Sequence, residues 1–413
     1  MTANDITLDP SQLEAVELTC TQSIGLVTGG PGTGKSTCLG YALDRLDAAG
    51  KTYELAAPTG KAAKRVTETT GRPARTIHRL LEYNPRRGGF QRNADFPLNT
   101  SVVIVDESSM IDAELSAALL DAIDPRYTRL ILIGDADQLP PVGPGRFFGE
   151  QIDSRMFPTV RLQTLHRSAQ QSWIHVNAPK VLVGDALDLS PQRDFRWIKV
   201  DNASDILPAI RRIVTDKRNA DLNAQVLIPQ KTKVAGTMAC NRMLQDAFNP
   251  RRSTSTPYIP RGESELRPGD RVIQTKNNYF LGVFNGELGD VVDIADGKVH
   301  VQLHGRELVV FTLEQAEALQ HAWALTVHRS QGSEFPWAIV VCHSTHSHSL
   351  SRQLIYTAIT RGKKGVILVG DKKGLDYALS EHRPPKRNTA LIDLVRLERR
   401  KLTKEATCED GGF

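Results

Sequence analysis

Four short apolar runs in the first 165 residues each stop at turn-forming or polar residues: Ile24–Thr28, Tyr53–Ala57, Val102–Val105 and Leu130–Ile133. Apolar residues at consecutive rather than alternate positions mark strands buried on both faces, as in a parallel sheet. Helical spacing lies between the runs. Asp112 is placed to cap a helix over Ala113–Ile123, where Leu115, Leu119, Ala122 and Ile123 fall near one face. A second strand-and-helix series carries Gln225–Ile228, Ala338–Cys342 and Val366–Val369. The pattern therefore predicts an α/β protein.

Two stretches break this rhythm. Between Arg271 and Leu313 short alternating runs are cut by Gly286, Gly289 and Gly305. Asp296–Gly297, between Asp293–Ala295 and Lys298–Leu303, predicts a tight hairpin. A small β-barrel-like insert is expected there. The other break, Leu81–Leu98, contains Pro85, Gly88, Gly89 and Pro97 and reads as a loop or a protruding hairpin. After Arg383 the chain is basic, with helical spacing near Leu391–Leu402.

A chain of 413 residues exceeds one ordinary core and implies two or three domains. The formal charge of +5 is compatible with a polyanionic partner but does not single one out. The basic residues fall in separate clusters, such as Lys61–Arg65 and Arg86–Arg92. The five cysteines are scattered without a C-x-x-C pair, which argues against a disulfide framework or a cysteine zinc site. No apolar run reaches membrane-spanning length, and the start of the chain lacks the features of a signal peptide. Cytoplasmic residence is the expectation. His343, His346 and His348 lack zinc-ligand spacing and read as a polar loop. Trp173, Trp197, Trp323 and Trp337 read as packing residues, with base stacking as the alternative.

The chemistry concentrates behind the apolar runs. Ile24–Thr28 leads into Gly29-Gly30-Pro31-Gly32-Thr33-Gly34-Lys35-Ser36-Thr37, which fits the G-x-x-x-x-G-K-[ST] phosphate loop. Glycines let the backbone turn its N–H groups toward phosphates, and the following helix adds positive potential. Lys35 is expected to reach the β- and γ-phosphates, and Ser36 to ligate Mg2+. Val102–Val105 delivers Asp106 and Glu107, a candidate Mg2+ ligand and a candidate general base for the attacking water. Leu130–Ile133 delivers Gly134-Asp135-Ala136-Asp137-Gln138, where Gln138 is placed to sense the γ-phosphate.

With these residues in order, the chain resembles the RecD-like, 1B branch of superfamily 1 helicases from Leu8 to Asp371. Leu8-Asp9-Pro10-Ser11-Gln12 resembles the family's Q motif, which implies adenine contact by Gln12. Ala57-Pro58-Thr59-Gly60-Lys61-Ala62-Ala63 resembles motif Ia, followed by Thr76-Ile77-His78-Arg79-Leu80-Leu81. Asp106–Ser109 and Gly134–Pro141 resemble motifs II and III. Leu165-His166-Arg167 resembles motif IV, although Ser168 stands where glutamine is expected. Val327–Phe335 resembles motif V, and Tyr356-Thr357-Ala358-Ile359-Thr360-Arg361 resembles motif VI.

The resemblance implies two RecA-like P-loop domains with ATP between them. The first is expected over residues 1–165, with 81–98 as a duplex-splitting pin. The second is expected over 166–382, with an SH3-like β-barrel at about 285–320, ahead of a basic tail over 383–413. Arg167 and Arg361 are implied as arginine fingers, and Gly332 and Glu334 as nucleotide contacts. Pro58, Thr59, Lys61, His78, Asn277, Asn278, Thr326, His328 and Ser330 are implied as strand contacts, each with a cap or turn role as the competing reading.

The function implied is an ATP- and Mg2+-dependent DNA helicase, a monomer moving 5′→3′ on single-stranded DNA and opening single-strand/duplex junctions. Single-strand-binding or recombination proteins are the partners implied. An ATP-switched clamp, a motor subunit of a recombination complex and an RNA helicase remain open.

Overall fold

Strand burial on both faces requires that neighbouring side chains point to opposite cores, and the central strands divide in this way. The computed structural model describes residues 8–164, 172–380 and 389–398, apart from Arg252, Thr254, Glu263 and Tyr279. They group into two units, one comprising residues 8–58, 62–164 and 389–398, the other 59–61 and 172–380.

The first unit holds β1 (Ile24–Gly29), β2 (Tyr53–Ala57), β3 (Ala74–Thr76), β4 (Val102–Val105), β5 (Arg129–Gly134) and β6 (Thr159–Leu162). They form one six-stranded parallel sheet in the order β3-β2-β4-β5-β1-β6. Val27, Val102, Ile104, Ile131 and Ile133 pack into one core with α1 (Pro10–Thr21) and α2 (Lys35–Ala48). Leu26, Val103, Val105, Leu130 and Leu132 pack into the other, with Leu115 and Leu119 of the helix Ala113–Asp121. The edge strands β3 and β6 escape the apolar-run pattern because they are short and partly exposed. Leu391, from the chain's late helical stretch, packs against the second of these cores.

Over Leu81–Leu98 the backbone makes a 3-10 turn at Pro85–Arg87 and two isolated antiparallel bridges, Asn84 with Gly89 and Asn93 with Phe96. No regular strand ladder forms within this stretch. Gly88 and Gly89 adopt φ of +86° and +118°, which turns the chain back on itself where a side chain would be strained.

In the second unit β7 (Phe195–Lys199), β8 (Ala224–Ile228), the short hairpin β9 (Ile259–Arg261) and β10 (Ser264–Leu266), and β11 (Arg271–Gln274) come first. There follow β12 (Leu288–Ala295), β13 (Lys298–Leu303), β14 (Leu308–Thr312), β15 (Leu319–His321), β16 (Ala324–Thr326), β17 (Phe335–Cys342) and β18 (Gly362–Gly370). A parallel sheet has the order β16-β8-β17-β18-β7, and an antiparallel one has the order β14-β13-β12-β11-β15. The antiparallel sheet encloses Val272, Val283, Val291, Val299, Val301 and Phe311. Asp296 and Gly297, at φ of +51° and +69°, form its tight β12–β13 turn. It takes in β11, well ahead of residue 285, because Val272 and Ile273 pair with β12 on one side and with β15 on the other.

Among the described residues no helix is long and apolar enough to cross a membrane.

Candidate nucleotide and nucleic-acid sites

β1, β4 and β5 lie side by side in parallel, so the segments leaving their C-terminal ends are neighbours: the phosphate loop, Asp106–Glu107 and Asp135–Gln138. Gly32 and Gly34 take φ of +75° and +89°, which folds the loop over the start of α2. Thr33 Oγ1 donates to the Gly30 carbonyl at 2.8 Å. Lys35 Nζ donates to the carbonyls of Gly29 and Gly30, folding its ammonium onto the loop. Ser36 is exposed at the loop's end, and Pro31 and Thr37 are half-buried. Thr28 Oγ1 accepts from the Ala136 amide at 3.2 Å and links the loop's strand to the β5 turn.

Asp9 caps α1, and the buried Gln12 completes the capping box by accepting from the Asp9 amide. Gln12 Nε2 donates to Thr33 O at 3.1 Å, so this side chain also braces the phosphate loop.

Burial pushes the Asp106 carboxyl pKa up, opposed by the Glu107 amide and by the charges of Lys35 and Arg65. The Glu107 amide donates to Asp106 Oδ1 at 2.8 Å. Glu107 itself sits at φ +53°, an unusual conformation for a residue with a side chain. Gln138 is buried; its Nε2 donates to Asp135 Oδ2 at 3.2 Å and its Oε1 has no partner. The nearly inaccessible Asp135, not singled out from the sequence, thus orients Gln138. Its signal was its place one residue beyond the apolar run and Gly134.

Arg361 is buried in the second unit. Its guanidinium donates to Thr357 O (3.0 Å), Ser333 O (3.2 Å) and Thr360 Oγ1 (3.4 Å). Gly332, at φ +68°, lies in the same turn as Ser333. Glu334 pairs with Lys363 at 2.9 Å. Arg167 lies outside the described residues.

The residues nominated for strand contact differ in availability. Pro58 and Thr59 are half-buried after β2, and Lys61 is half-buried in the first turn of α3 (Gly60–Thr70). His78 is half-buried beside Tyr83 and Phe90, at ring separations of 5.6 and 5.5 Å, and burial pushes its imidazole pKa down. His328 is exposed. Thr326 is largely buried, and its hydroxyl accepts from the Arg329 amide at 3.4 Å. Ser330 is wholly buried and donates its hydroxyl to Val327 O. Asn277 Oδ1 accepts from the Asn285 amide and Asn278 Oδ1 from the Leu281 amide, so both side chains build the turn ahead of β12.

Of the three histidines expected on a polar loop, His348 is exposed but His343 and His346 are buried, because a 3-10 turn over Ser344–Ser349 folds them inward, with His343 3.8 Å from Asp371. Neither ring nitrogen of His346 has a partner.

Three family models match: the AAA domain over residues 12–144, the ATP-dependent RecD-like DNA helicase SH3 domain over 240–309, and the UvrD-like helicase C-terminal domain over 321–369. The ATP-dependent RecD2 DNA helicase of Deinococcus radiodurans is 37% identical over 392 residues, which is 94% of this chain and 52% of the relative. The chain thus spans about half the length of that protein. The RecBCD enzyme subunit RecD of Mycolicibacterium smegmatis is 31% identical over 403 residues, 87% of this chain and 70% of the relative. Among solved structures, the Bacteroides Pif1 helicase in complex with ADP-AlF3 and ssDNA has a TM-score of 0.58 at 21% identity, covering 96% of this chain and 98% of that one. The Candida albicans Pif1 helicase has a TM-score of 0.57 at 18% identity, covering 97% and 100%. These two likenesses show a shared fold. Identity of 31% sustained over more than two thirds of a RecD subunit shows more: the chain belongs to the RecD-like helicase family.

Proposed function

We propose that this chain is an ATP-dependent DNA helicase that moves 5′→3′ along single-stranded DNA and opens duplexes at junctions. The observation that carries the reading is the convergence of the phosphate loop, Asp106–Glu107 and Gln138 at the ends of adjacent parallel strands. Direction and substrate draw on family membership and on the relatives' activity.

In this reading Lys35 exchanges its loop carbonyls for the β- and γ-phosphates of ATP, while the loop amides hold the phosphate chain. The half-buried Asp106 carboxylate, fixed by one amide beside Lys35, suits a divalent cation. Mg2+, held by Ser36 and Asp106, would neutralise charge on the β- and γ-phosphates. Glu107 accepts the proton of the attacking water, and Gln138, with its free Oε1, orients that water or senses the γ-phosphate. Gln12, Gly332 and Glu334 are the proposed nucleotide contacts. Arg167 and Arg361 are proposed to stabilise charge on the transferred phosphoryl group. His328, Thr59, Lys61 and Thr326 are the proposed strand contacts. The two units are proposed as the RecA-like domains, and residues 81–98 as the pin that splits the duplex.

The test is unwinding of two partial duplexes, one with a 5′ and one with a 3′ single-stranded tail, beside a Lys35→Ala control. Opening of the 5′-tailed duplex alone, lost in the control, is expected. Opening of the 3′-tailed one alone overturns the direction. Strand-stimulated ATP turnover without opening favours a clamp or a motor subunit, and preference for RNA tails favours an RNA helicase.

A further inference from the structure

The helix Ile206–Thr215 stops where Asp216 starts a 3-10 turn over Lys217–Leu222, its carboxylate accepting from the Arg218 amide. On that turn Asn219 Nδ2 donates to Ile213 O at 2.9 Å, which ties the turn back to the end of the helix. Ile213 and Asn219 line two cavities of the second unit, which therefore adjoin. The first, of about 210 Å³, is mainly apolar, with Val214, Leu222, Leu244, Phe248 and Trp323 on its walls. It is smaller than the ~300–1,000 Å³ usual for small-molecule sites, and suits one bulky side chain. The second, of about 600 Å³, is basic: Arg196, Arg212 and Arg218 line it, with Asp216 as its carboxylate.

The polar groups of the pair are unevenly satisfied. Trp323 Nε1 is buried without a hydrogen-bond partner, and its lost hydration is not offset. Arg271, on the wall of the apolar cavity, lies 3.9 Å from Asp290. In the basic cavity Asp216 is held by Arg218 at 2.6 Å, so the carboxylate of the lining is already matched. Arg196 donates to the neutral Asn219 Oδ1 at 3.4 Å and lies 5.0 Å from the ring centre of Trp337. Arg212 is exposed, and its guanidinium makes no hydrogen bond or ion pair among the described residues. Asp221, exposed on the same turn, lines neither cavity. Two cations are thus left over beside an apolar hole whose rim, Phe248, is 44% exposed.

We propose that the two cavities together dock an acidic peptide segment of a partner protein. One large apolar side chain of that segment fills the smaller cavity against Phe248 and Trp323, and neighbouring carboxylates meet Arg196 and Arg212 in the larger. Aromatic walls give such an anchor its affinity, and arginine forks match carboxylates in pairs. A nucleic-acid strand fits less well. Trp323 is already stacked with Phe248, at 5.2 Å between ring centres, and the Arg271 guanidinium lies 5.6 Å from the centre of the same ring. The apolar cavity is also small for a base with its sugar. None of the residues proposed for the nucleotide or the strand lines either cavity, so the inference stands apart from the proposed function.

The test measures, by fluorescence anisotropy, binding of labelled peptides to the whole chain. One peptide has a central Phe flanked by Asp and Gly, the second has Ala in place of the Phe, and the third has Lys in place of each Asp. The first is expected to bind severalfold more tightly than the other two, and more weakly as salt rises. Arg212→Gln and Phe248→Ala are each expected to weaken it severalfold, and Arg212→Gln to leave strand-stimulated ATPase unchanged. If Phe248→Ala does not fold, the comparison of the Phe and Ala peptides decides the apolar cavity. Equal binding of all the peptides, or binding of the first that a folded variant leaves unaltered, overturns the inference. Loss of oligo-dT affinity in Arg212→Gln without discrimination among the peptides also overturns it, and assigns the face to nucleic acid. Absence of strand-stimulated ATPase in the unaltered chain counts against the helicase reading and leaves the peptide result to stand by itself.

Discussion

Gln12 Nε2 and the main-chain carbonyl of Thr33 are joined by a 3.1 Å hydrogen bond, so one buried side chain closes the cap of α1 and steadies the phosphate loop. Gln12→Ala removes both functions. Loss of the capping-box hydrogen bond from the Asp9 amide and of the buried one to Thr33 O is expected to lower stability by about 1–2 kcal/mol. A loosened loop should raise the KM for ATP more than it lowers kcat. Urea denaturation and steady-state ATPase measurements check the two effects, and an unchanged KM would show that the brace is structural only.

Glu107 has a backbone conformation that favours glycine and a side chain that the proposed chemistry requires. Glu107→Gln should retain ATP binding while turnover drops by roughly 10²–10⁴. Glu107→Gly should be just as inactive but up to ~1 kcal/mol more stable than Glu107→Gln, because the strain is relieved. Equal urea midpoints for the two variants would contradict the strain argument.

Arg361 makes its hydrogen bonds through a planar fork, to two carbonyls and a hydroxyl. Lysine keeps the charge but cannot reproduce that geometry. Arg361→Lys is expected to bind a fluorescent ADP analogue normally and to lose about 10³-fold in ATP turnover. Wild-type turnover would remove Arg361 from the proposed chemistry.

His346 is buried without partners for either ring nitrogen; burial, with His343 and Lys233 nearby, lowers its pKa to about 4 from the usual ~6.5. Between these values the unfolded chain holds more protons than the folded one, so stability rises with pH across the window. On acidification from pH 6.5 to 4 this contribution is progressively lost. His346→Leu should flatten that part of a stability-against-pH curve measured by urea denaturation. The same slope in variant and wild type would assign the dependence to other groups.

Phe96 is 62% exposed, with the Arg92 guanidinium 4.9 Å from its ring centre and Arg92 paired to Glu82 at 2.7 Å. That pairing holds an aromatic outward on the stretch proposed as the pin. Phe96→Ala should slow unwinding of a 5′-tailed duplex severalfold and leave strand-stimulated ATPase at its normal rate. A parallel loss of both would place Phe96 in strand binding rather than strand separation.

The central parallel strands β1, β2, β4, β5, β8, β17 and β18, the phosphate loop and the Asp296–Gly297 turn were legible in the sequence because each is set by neighbouring residues: an apolar run, a glycine spacing, a φ requirement. The edge strands β3 and β6 of one parallel sheet and β16 and β7 of the other were not, because partners across the sheet create them. The same division holds at the sites. Sequence identified Lys35, Asp106 and Glu107 as candidates, since their chemistry follows from residue type and position after a strand. It could not show that Gln12 braces Thr33 or that Asp135 holds Gln138. Nor could it show that Ser330 spends its hydroxyl on Val327. Those relations join residues according to where their backbones lie and how deeply they are buried. Packing of the whole chain decides burial, and burial decides whether a polar group caps a turn, braces a loop or is left to attract a ligand.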